Sequence, residues 1–513
     1  MVGILSVGVH IPVYRLSRDV MAKAWGVRSL GGERTVAGHD EDSLTMAVNA
    51  AFDCIRRRNE EVNPVRNSSG ALSPARRVES PTGMVLKSNL AAEQRGIISN
   101  GVNGLFFSTT TSPYKEKQAA ATIAAALDLP SESCAADITG SLRGATIALK
   151  LAMGMVRSQL AKNVIVAASD CRLGTPQSEL EQRFGDAAAA IMIGESNPIA
   201  MIVDSYSIFD EFFDLWRLEG DTFVRSWEER FTVSEGYMRV VTQGVSEFLK
   251  KHALTAKDFS KVVLSGPDPR SQARLAKSLG FDGKTQLQDP LFAAIGHAGT
   301  SAPLLMLAAA LEEAKKGDKI LLATYGDGSD VFILEVTENI DNARYTQGME
   351  KQFARKMYIN YERYLSWRNL VSVDFPRRPE PQMPSVACRW RERRRILALY
   401  GVRCRQCGTI QYPPPRVCVG CGAKDDFDDY KLSGKKATVF TYGTDRLTPT
   451  KAPPAVNVFL EFEGGGRMTC ELTDCDPEKV KIGMPVEMTF RKIGQFSEIY
   501  DYFWKARPIE SQE

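Results

Sequence analysis

Four cysteines stand as Cys404-Arg-Gln-Cys407 and Cys418-Val-Gly-Cys421, two Cys-x-x-Cys pairs separated by ten residues. Each pair can grip an ion from one tight turn, and four thiolates complete the tetrahedral sphere of a single Zn2+. A closed set of four sulfurs leaves no position for water or substrate, so this zinc is expected to hold structure and do no chemistry. Gly408 and Gly422 follow the second cysteine of each pair, where a ribbon knuckle often needs positive φ. Chance pairs and a redox dithiol are the competing readings. A redox Cys-x-x-Cys normally occurs singly on a thioredoxin-like βαβ unit, so a zinc ribbon over residues 401–425 is preferred.

The chain carrying this motif has 513 residues, more than one core usually supports, so two or three domains are expected. A net charge of +3 gives little electrostatic case for nucleic-acid binding, and the acidic run Asp425-Asp426-Phe427-Asp428-Asp429 argues against it. The opening MVGILSVGVHIPVYRL has no basic n-region or cleavage site and reads as a first strand. No apolar run approaches the roughly 18 residues of a membrane span, so no membrane association is expected. The six other cysteines show no framework spacing, which fits a reducing, cytoplasmic setting.

Strands and helices alternate twice along residues 1–340, the pattern of a mixed sheet with helices on both faces. The reading places strands at Gly104–Ser108, Ala135–Ile138, Asn163–Ala168 and Lys319–Thr324. Helices are expected at Ser141–Val156, Ser234–His252 and Ala298–Lys315. Residues 64–103 interrupt this pattern with Ser, Asn, Gly, Pro and Arg and no sustained apolar period. They read as an inserted surface segment, with a functional lid as the alternative. Residues 341–400 read as a helical, Pro-containing linker whose basic run is a solvated helix face. Residues 430–508 are Val-, Thr- and Phe-rich with Gly punctuation, the pattern of a small OB-like antiparallel barrel.

Particular segments carry a family likeness. GERTVAGHDEDSLTMAVNAA (32–51), FFSTTTSPYKEKQAAATIAAALDLP (106–130), ADITGSLRGATIALKLAMG (136–154), ASDCRLG (168–174), FGDAAAAIMIGE (184–195), FVRSWEERF (223–231) and AIGHAGTSAPLLMLAAAL (294–311) resemble the thiolase superfamily. The branch is that of 3-hydroxy-3-methylglutaryl-CoA (HMG-CoA) synthase and ketoacyl-ACP synthase III. CRQCGTIQYPPPRVCVGCG with KLSGKKATVFTYG resembles the zinc-ribbon plus OB-fold proteins that accompany thiolase-type acyl-CoA enzymes. The resemblance implies a duplicated, five-layer α/β/α/β/α body, followed by the ribbon and an OB-like β-barrel. It also implies a coenzyme A thioester as ligand and assembly as a homodimer or hetero-oligomer.

The family's chemistry needs a cysteine thiolate at a helix N-terminus, where the dipole lowers its pKa. The resemblance puts Leu142 at that place, with Arg143 beside it, and a leucine cannot be acylated. The family's histidine would fall around Gly266 and Pro267, its asparagine at His297 and its glutamate near Thr111. His297 is the surviving acid–base candidate, set against a hydrogen-bonded structural role. Arg143 and Arg172 could bind a carboxylate or a CoA phosphate, or form ion pairs. Cys134 and Cys171 read as small buried residues, not nucleophiles. Glu228 and Glu229 read as surface or paired groups.

Three functions follow. The first is an acyl-CoA-handling subunit that borrows covalent capture from a partner thiolase in a carbon–carbon bond-forming or cleaving complex. The second is a self-sufficient HMG-CoA-synthase-like acyltransferase or lyase using His297. The third is a non-enzymatic OB-fold scaffold. The first is preferred.

Overall fold

The computed structural model describes residues 1–62, 101–341, 348–374, 385–496 and 499–509. Most of the expected insertion, residues 64–100, therefore lies outside the described residues. The chain divides into one unit built from residues 1–57, 101–124 and 129–373 and another that, among the described residues, holds 58–62, 125–128, 374 and those from 385 onward.

The first unit is organised on a nine-stranded sheet. Its strands are β1 (Gly3–His10), β4 (Val102–Ser108), β5 (Cys134–Ile138), β6 (Asn163–Asp170), β7 (Ala187–Gly194), β8 (Ala200–Phe209), β11 (Lys261–Leu264), β12 (Lys319–Tyr325) and β13 (Gly328–Val336). Between them fall the short strands β2 (Tyr14–Ser17), β3 (Glu33–Val36), β9 (Leu215–Trp216) and β10 (Arg225–Ser226). The spatial order is β11-β12-β13-β8-β1-β7-β6-β4-β5. Duplication is written into the pairing. In β4-β6-β7-β1 the contacts run parallel, antiparallel, antiparallel, and β11-β12-β13-β8 repeats that series.

A buried helix precedes the corresponding strand in each half, Gly144–Arg157 before β6 and Ala302–Glu313 before β12. The first helix buries Ala145, Ala148, Leu149, Ala152, Met153 and Val156, the i, i+3, i+4 spacing of one face. Both helices share one hydrophobic cluster with the alanine-rich β7, whose small side chains let a helix pack closely on the sheet. This is the thiolase-like α/β architecture expected.

Several expected boundaries shift. β4 begins at Val102, inside the C-terminal limit assigned to the insertion. The helix expected from Ser141 starts at Gly144, because Ser141–Arg143 form the turn that leads into it. The helix expected over Ser234–His252 is a π-helical segment, Thr232–Met238, followed by an α-helix, Arg239–Lys251. Cys134 was expected to be buried; it is exposed, because it opens β5 at the free edge of the sheet. Residues 349–373, assigned to the linker, belong with the first unit. Strand β14 (Met357–Tyr358) adds in parallel to β2. Helix Tyr361–Trp367 buries Tyr361, Tyr364 and Trp367 on one side, with Trp367 edge-on to Tyr14 at 4.7 Å. Such aromatic burial is too large for a solvated linker to leave exposed.

In the second unit, β15 (Tyr400–Cys404) pairs antiparallel with β16 (Ile410–Gln411) and β17 (Phe427–Lys431). The strands β18 (Lys436–Asp445), β19 (Ala455–Phe462), β20 (Arg467–Leu472), β21 (Pro485–Phe496) and β22 (Ile499–Pro508) close into a barrel ordered β18-β19-β20-β22-β21. Alternate residues of β19 point inward, and Trp504 packs on Phe490 in the interior while its indole N–H donates to the Leu397 carbonyl at 2.8 Å. Among the described residues no helix is long and apolar enough to cross a membrane.

Candidate active-site cavity and metal centre

Leu142 sits in the turn ahead of helix Gly144–Arg157 and lines a cavity of about 790 Å³ in the first unit, within the usual range for small-molecule sites. The β12–β13 hairpin closes over this turn: a Cβ on Gly326 would lie 3.2 Å from the Cβ of Leu142. Gly266, Pro267 and His297 line the same cavity, so three positions singled out from the sequence converge. Thr111 does not join them. Its hydroxyl is held at 3.2 Å by Asp170, whose carboxylate also accepts from the backbone of Thr110 and Thr300.

Arg143 was expected in the pocket and turns away from it. Its guanidinium donates to the Asp327 carbonyl and pairs at 3.3 Å with the fully buried Asp330. Arg172 does line the cavity, with its guanidinium 4.3 Å from the Phe184 ring. Burial lowers its pKa to about 10, which leaves it charged at neutral pH.

His297 keeps part of its surface on the cavity. The Gly299 N–H donates to its Nδ1 at 3.2 Å, so the network places the neutral ring's proton on Nε2. Burial, helped by the Arg172 and Arg183 cations, pushes its pKa down to about 3. The ring is therefore a hydrogen-bond donor at neutral pH and not a poised general base. The sign of the pH effect follows. Above pH ~6.5 the ring is neutral in both folded and unfolded chains, and below that only the unfolded chain takes up the proton until about pH 3. Between those limits the native chain should lose stability on acidification, with this residue contributing up to about 1.4 kcal/mol per pH unit. His297→Asn should flatten that slope in urea titrations run from pH 7 to 4.

Three groups escaped the sequence reading. Asp214 and Tyr325 line the cavity and hydrogen-bond to each other, and burial raises the pKa of both. Tyr237 is fully buried, and its hydroxyl has no hydrogen-bond partner among the described residues. A Cβ on Gly266 would fall 2.4 Å from the Tyr237 ring and 2.5 Å from its oxygen. The phenol thus fills the space beside the position expected to carry histidine. It comes from the π-helical segment, a distortion common at functional sites. That irregular turn was the signal to look for, and it leaves no trace in the apolar period.

The thiols lie elsewhere. None of the ten cysteines lines this cavity or the smaller one of about 230 Å³ that shares Leu142, Arg172 and Asp214. Cys171 is half-buried, and desolvation and then the Asp186 carboxylate push its pKa well up, so it stays a thiol. Glu228 caps a short helix turn, and Glu229 pairs with Arg183. The cavity offers donors from Tyr237, His297 and Arg172, one acid pair in Asp214 and Tyr325, and no nucleophilic sulfur.

In the second unit the sulfurs of Cys404, Cys407, Cys418 and Cys421 lie within 4.8 Å of one another. The separations Cys404–Cys421 at 3.6 Å and Cys407–Cys418 at 3.5 Å approach the ~3.8 Å edge of a tetrahedron with 2.3 Å Zn–S bonds. Gly408 and Gly422 have φ of +77° and +74°, and their N–H groups donate back to the Cys404 and Cys418 carbonyls. The donor set fits a structural zinc. The neighbouring acids are paired, Asp425 with Arg416, Asp428 with Arg405 and Asp429 with Arg394.

Comparison with known proteins agrees with this division. The 3-oxoacyl-[acyl-carrier-protein] synthase III model matches residues 136–209. The ChsH2 rubredoxin-like zinc ribbon matches 391–427 and the ChsH2 C-terminal OB-fold matches 430–491. A crystal structure of HMG-CoA synthase complexed with CoA superposes with a TM-score of 0.58 at 18% identity, covering 71% of this chain and 89% of that one. The chain is a thiolase-like body fused to a zinc ribbon and an OB-fold. The 3-oxoacyl-[acyl-carrier-protein] synthase III of Aquifex aeolicus gives a TM-score of 0.51 at 19% identity, over 65% of this chain and all of that one. Hydroxymethylglutaryl-CoA synthases of Archaeoglobus fulgidus and Methanosphaera stadtmanae are each 28% identical, over 73% of this chain and 100% of theirs.

Proposed function

We propose that the body binds an acyl-CoA thioester in the cavity beside Leu142 and serves, in the cytoplasm, as one subunit of a thiolase-type complex that forms or cleaves a carbon–carbon bond. A partner thiolase captures the acyl group covalently. The observation carrying this reading is a cavity of ligand size at the tip of helix Gly144–Arg157 with no thiol on its wall. The names of the relatives and the CoA complex among the structural neighbours support acyl-CoA as the ligand class. The ribbon and barrel resemble modules that accompany such enzymes, and their zinc is structural. The free edge of β5 offers a surface for oligomer formation.

After incubation with acetyl-CoA, intact-mass spectrometry should show no acyl adduct on this chain. Mixed with its thiolase, it should co-purify and raise cleavage of a β-ketoacyl-CoA at least about tenfold, the scale of ~1.4 kcal/mol of coupling. A thiolase fully active alone, or an adduct on this chain, defeats the reading.

A second reading, autonomous lyase or acyltransferase chemistry without an acyl-enzyme, is favoured by the Asp214–Tyr325 pair, which could move a proton on a bound thioester. It requires turnover by this chain alone that Tyr325→Phe abolishes.

A further inference from the structure

Leu180 on helix Glu179–Arg183, Leu215 in β9, Phe223, Trp227 and Val233 of the π-helical segment line the larger cavity together with Leu142. Trp227 is 61% exposed and the other five are half-buried, so each keeps apolar surface that the fold itself leaves uncovered. The wall is fixed by backbone hydrogen bonds. The Val224 N–H donates to the Leu173 carbonyl at 2.9 Å, and the Trp227 N–H to the Asp214 carbonyl at 3.0 Å. Charged groups on the lining already have counter-charges. Arg183 pairs with Glu179 and Glu229, Arg225 pairs with Asp221, and the Asp170 and Asp214 carboxylates act on Arg172. Apolar side chains left open together on a concave surface mark a place where an apolar ligand is received.

We propose that the acyl group received beside Leu142 is an apolar one of roughly eight carbons or more, which these side chains cover. The inference rests on the acyl-CoA reading above and names the acyl class of that same site. Size supports it first. An acetyl group has the bulk of about two or three waters of ~30 Å³ each, and it would leave most of a chamber of about 790 Å³ uncovered. Chemistry supports it second. The pantetheine arm of coenzyme A bears amides and a hydroxyl, which need hydrogen-bond partners that leucine, valine and phenylalanine side chains do not offer. The arm therefore leaves this wall unexplained, and a hydrocarbon group explains it. An ionised acyl terminus would be desolvated against Leu180, Phe223 and Val233 with the neighbouring cations already paired, so the site discriminates against polar acyl groups.

The test is calorimetric titration of the full chain with free CoA, acetyl-CoA, butyryl-CoA and octanoyl-CoA, each kept below its micelle concentration. Affinity should climb with chain length toward about fourfold for each methylene buried, so that octanoyl-CoA binds at least ~100-fold tighter than acetyl-CoA. Leu180→Asn and, from a different element, Val233→Asn should each cut that ratio about tenfold. Binding of acetyl-CoA shows that a variant is folded, and the native series decides the matter should neither variant fold. Equal binding of acetyl-CoA and octanoyl-CoA by the native chain overturns the inference and leaves the acyl-CoA reading standing. A chain-length gain that survives unchanged in both folded variants also overturns it, because the methylenes are then buried elsewhere. Absence of binding by all four ligands defeats both readings together.

Discussion

Leu142→Cys is expected to accept an acyl group from acetyl-CoA where the native chain accepts none. Position 142 lies in the turn ahead of helix Gly144–Arg157, on the cavity wall, with Arg143 at the helix cap and Arg172 in the same lining. The N-terminal end of a helix and the Arg172 cation on the same cavity lining both favour thiolate over thiol. The new sulfur should therefore be acylated at least on the order of 100-fold faster than the exposed Cys134, which has no such environment. Trading a half-buried leucine for cysteine should cost about 1 kcal/mol, which the fold can absorb. Intact mass followed by peptide mapping reads the outcome. Labelling at Cys134 with none at 142 would show that the cavity does not bring a thioester to the helix tip.

Stripping the metal should unfold the ribbon and spare the body. The hydrophobic cluster of the ribbon consists of Cys404, Cys418 and Ala423 with Phe427 packed against them, and two of those four are ligands. A core that small cannot offset the ordering of the segment, so metal binding, worth about 10 kcal/mol or more in small zinc domains, must supply most of its stability. Chelator treatment, or Cys418→Ser, should release one zinc per chain. Amides of residues 400–431 should then exchange within seconds, while amides of β6, β7 and β12 stay protected. Protection of the ribbon after complete metal loss would favour a dithiol and count against the zinc centre.

The two repeating periods made the architecture legible in the sequence. Strand–helix alternation located β6, β12 and both buried helices to within a few residues, because small and apolar side chains at helical spacing have one economical packing solution. The metal centre was equally plain, since ligand identity and spacing are local. What stayed hidden depended on distance. Asp214, Tyr237 and Tyr325 are far apart in the chain and meet only because the π-helical segment and the β12–β13 hairpin carry them to one wall. Arg143 and Arg172 read alike as short-range sequence, yet one is bound to Asp330 and the other is left facing the cavity. The docking of Tyr361, Tyr364 and Trp367 was missed because a short amphipathic helix between charged stretches looks the same whether it is solvated or packed.

The ring of Tyr237 constrains which changes the pocket can accept. An imidazole grafted at position 266 must displace the phenol, whose carbon lies 2.4 Å from where the new Cβ would go. Trimming the tyrosine first leaves a hole costing roughly 3–5 kcal/mol, and neither single step is tolerable by itself. A route to self-acylation through position 266 therefore crosses a valley at this corner of the pocket, and selection for covalent turnover should recover changes at 142 long before any at 266.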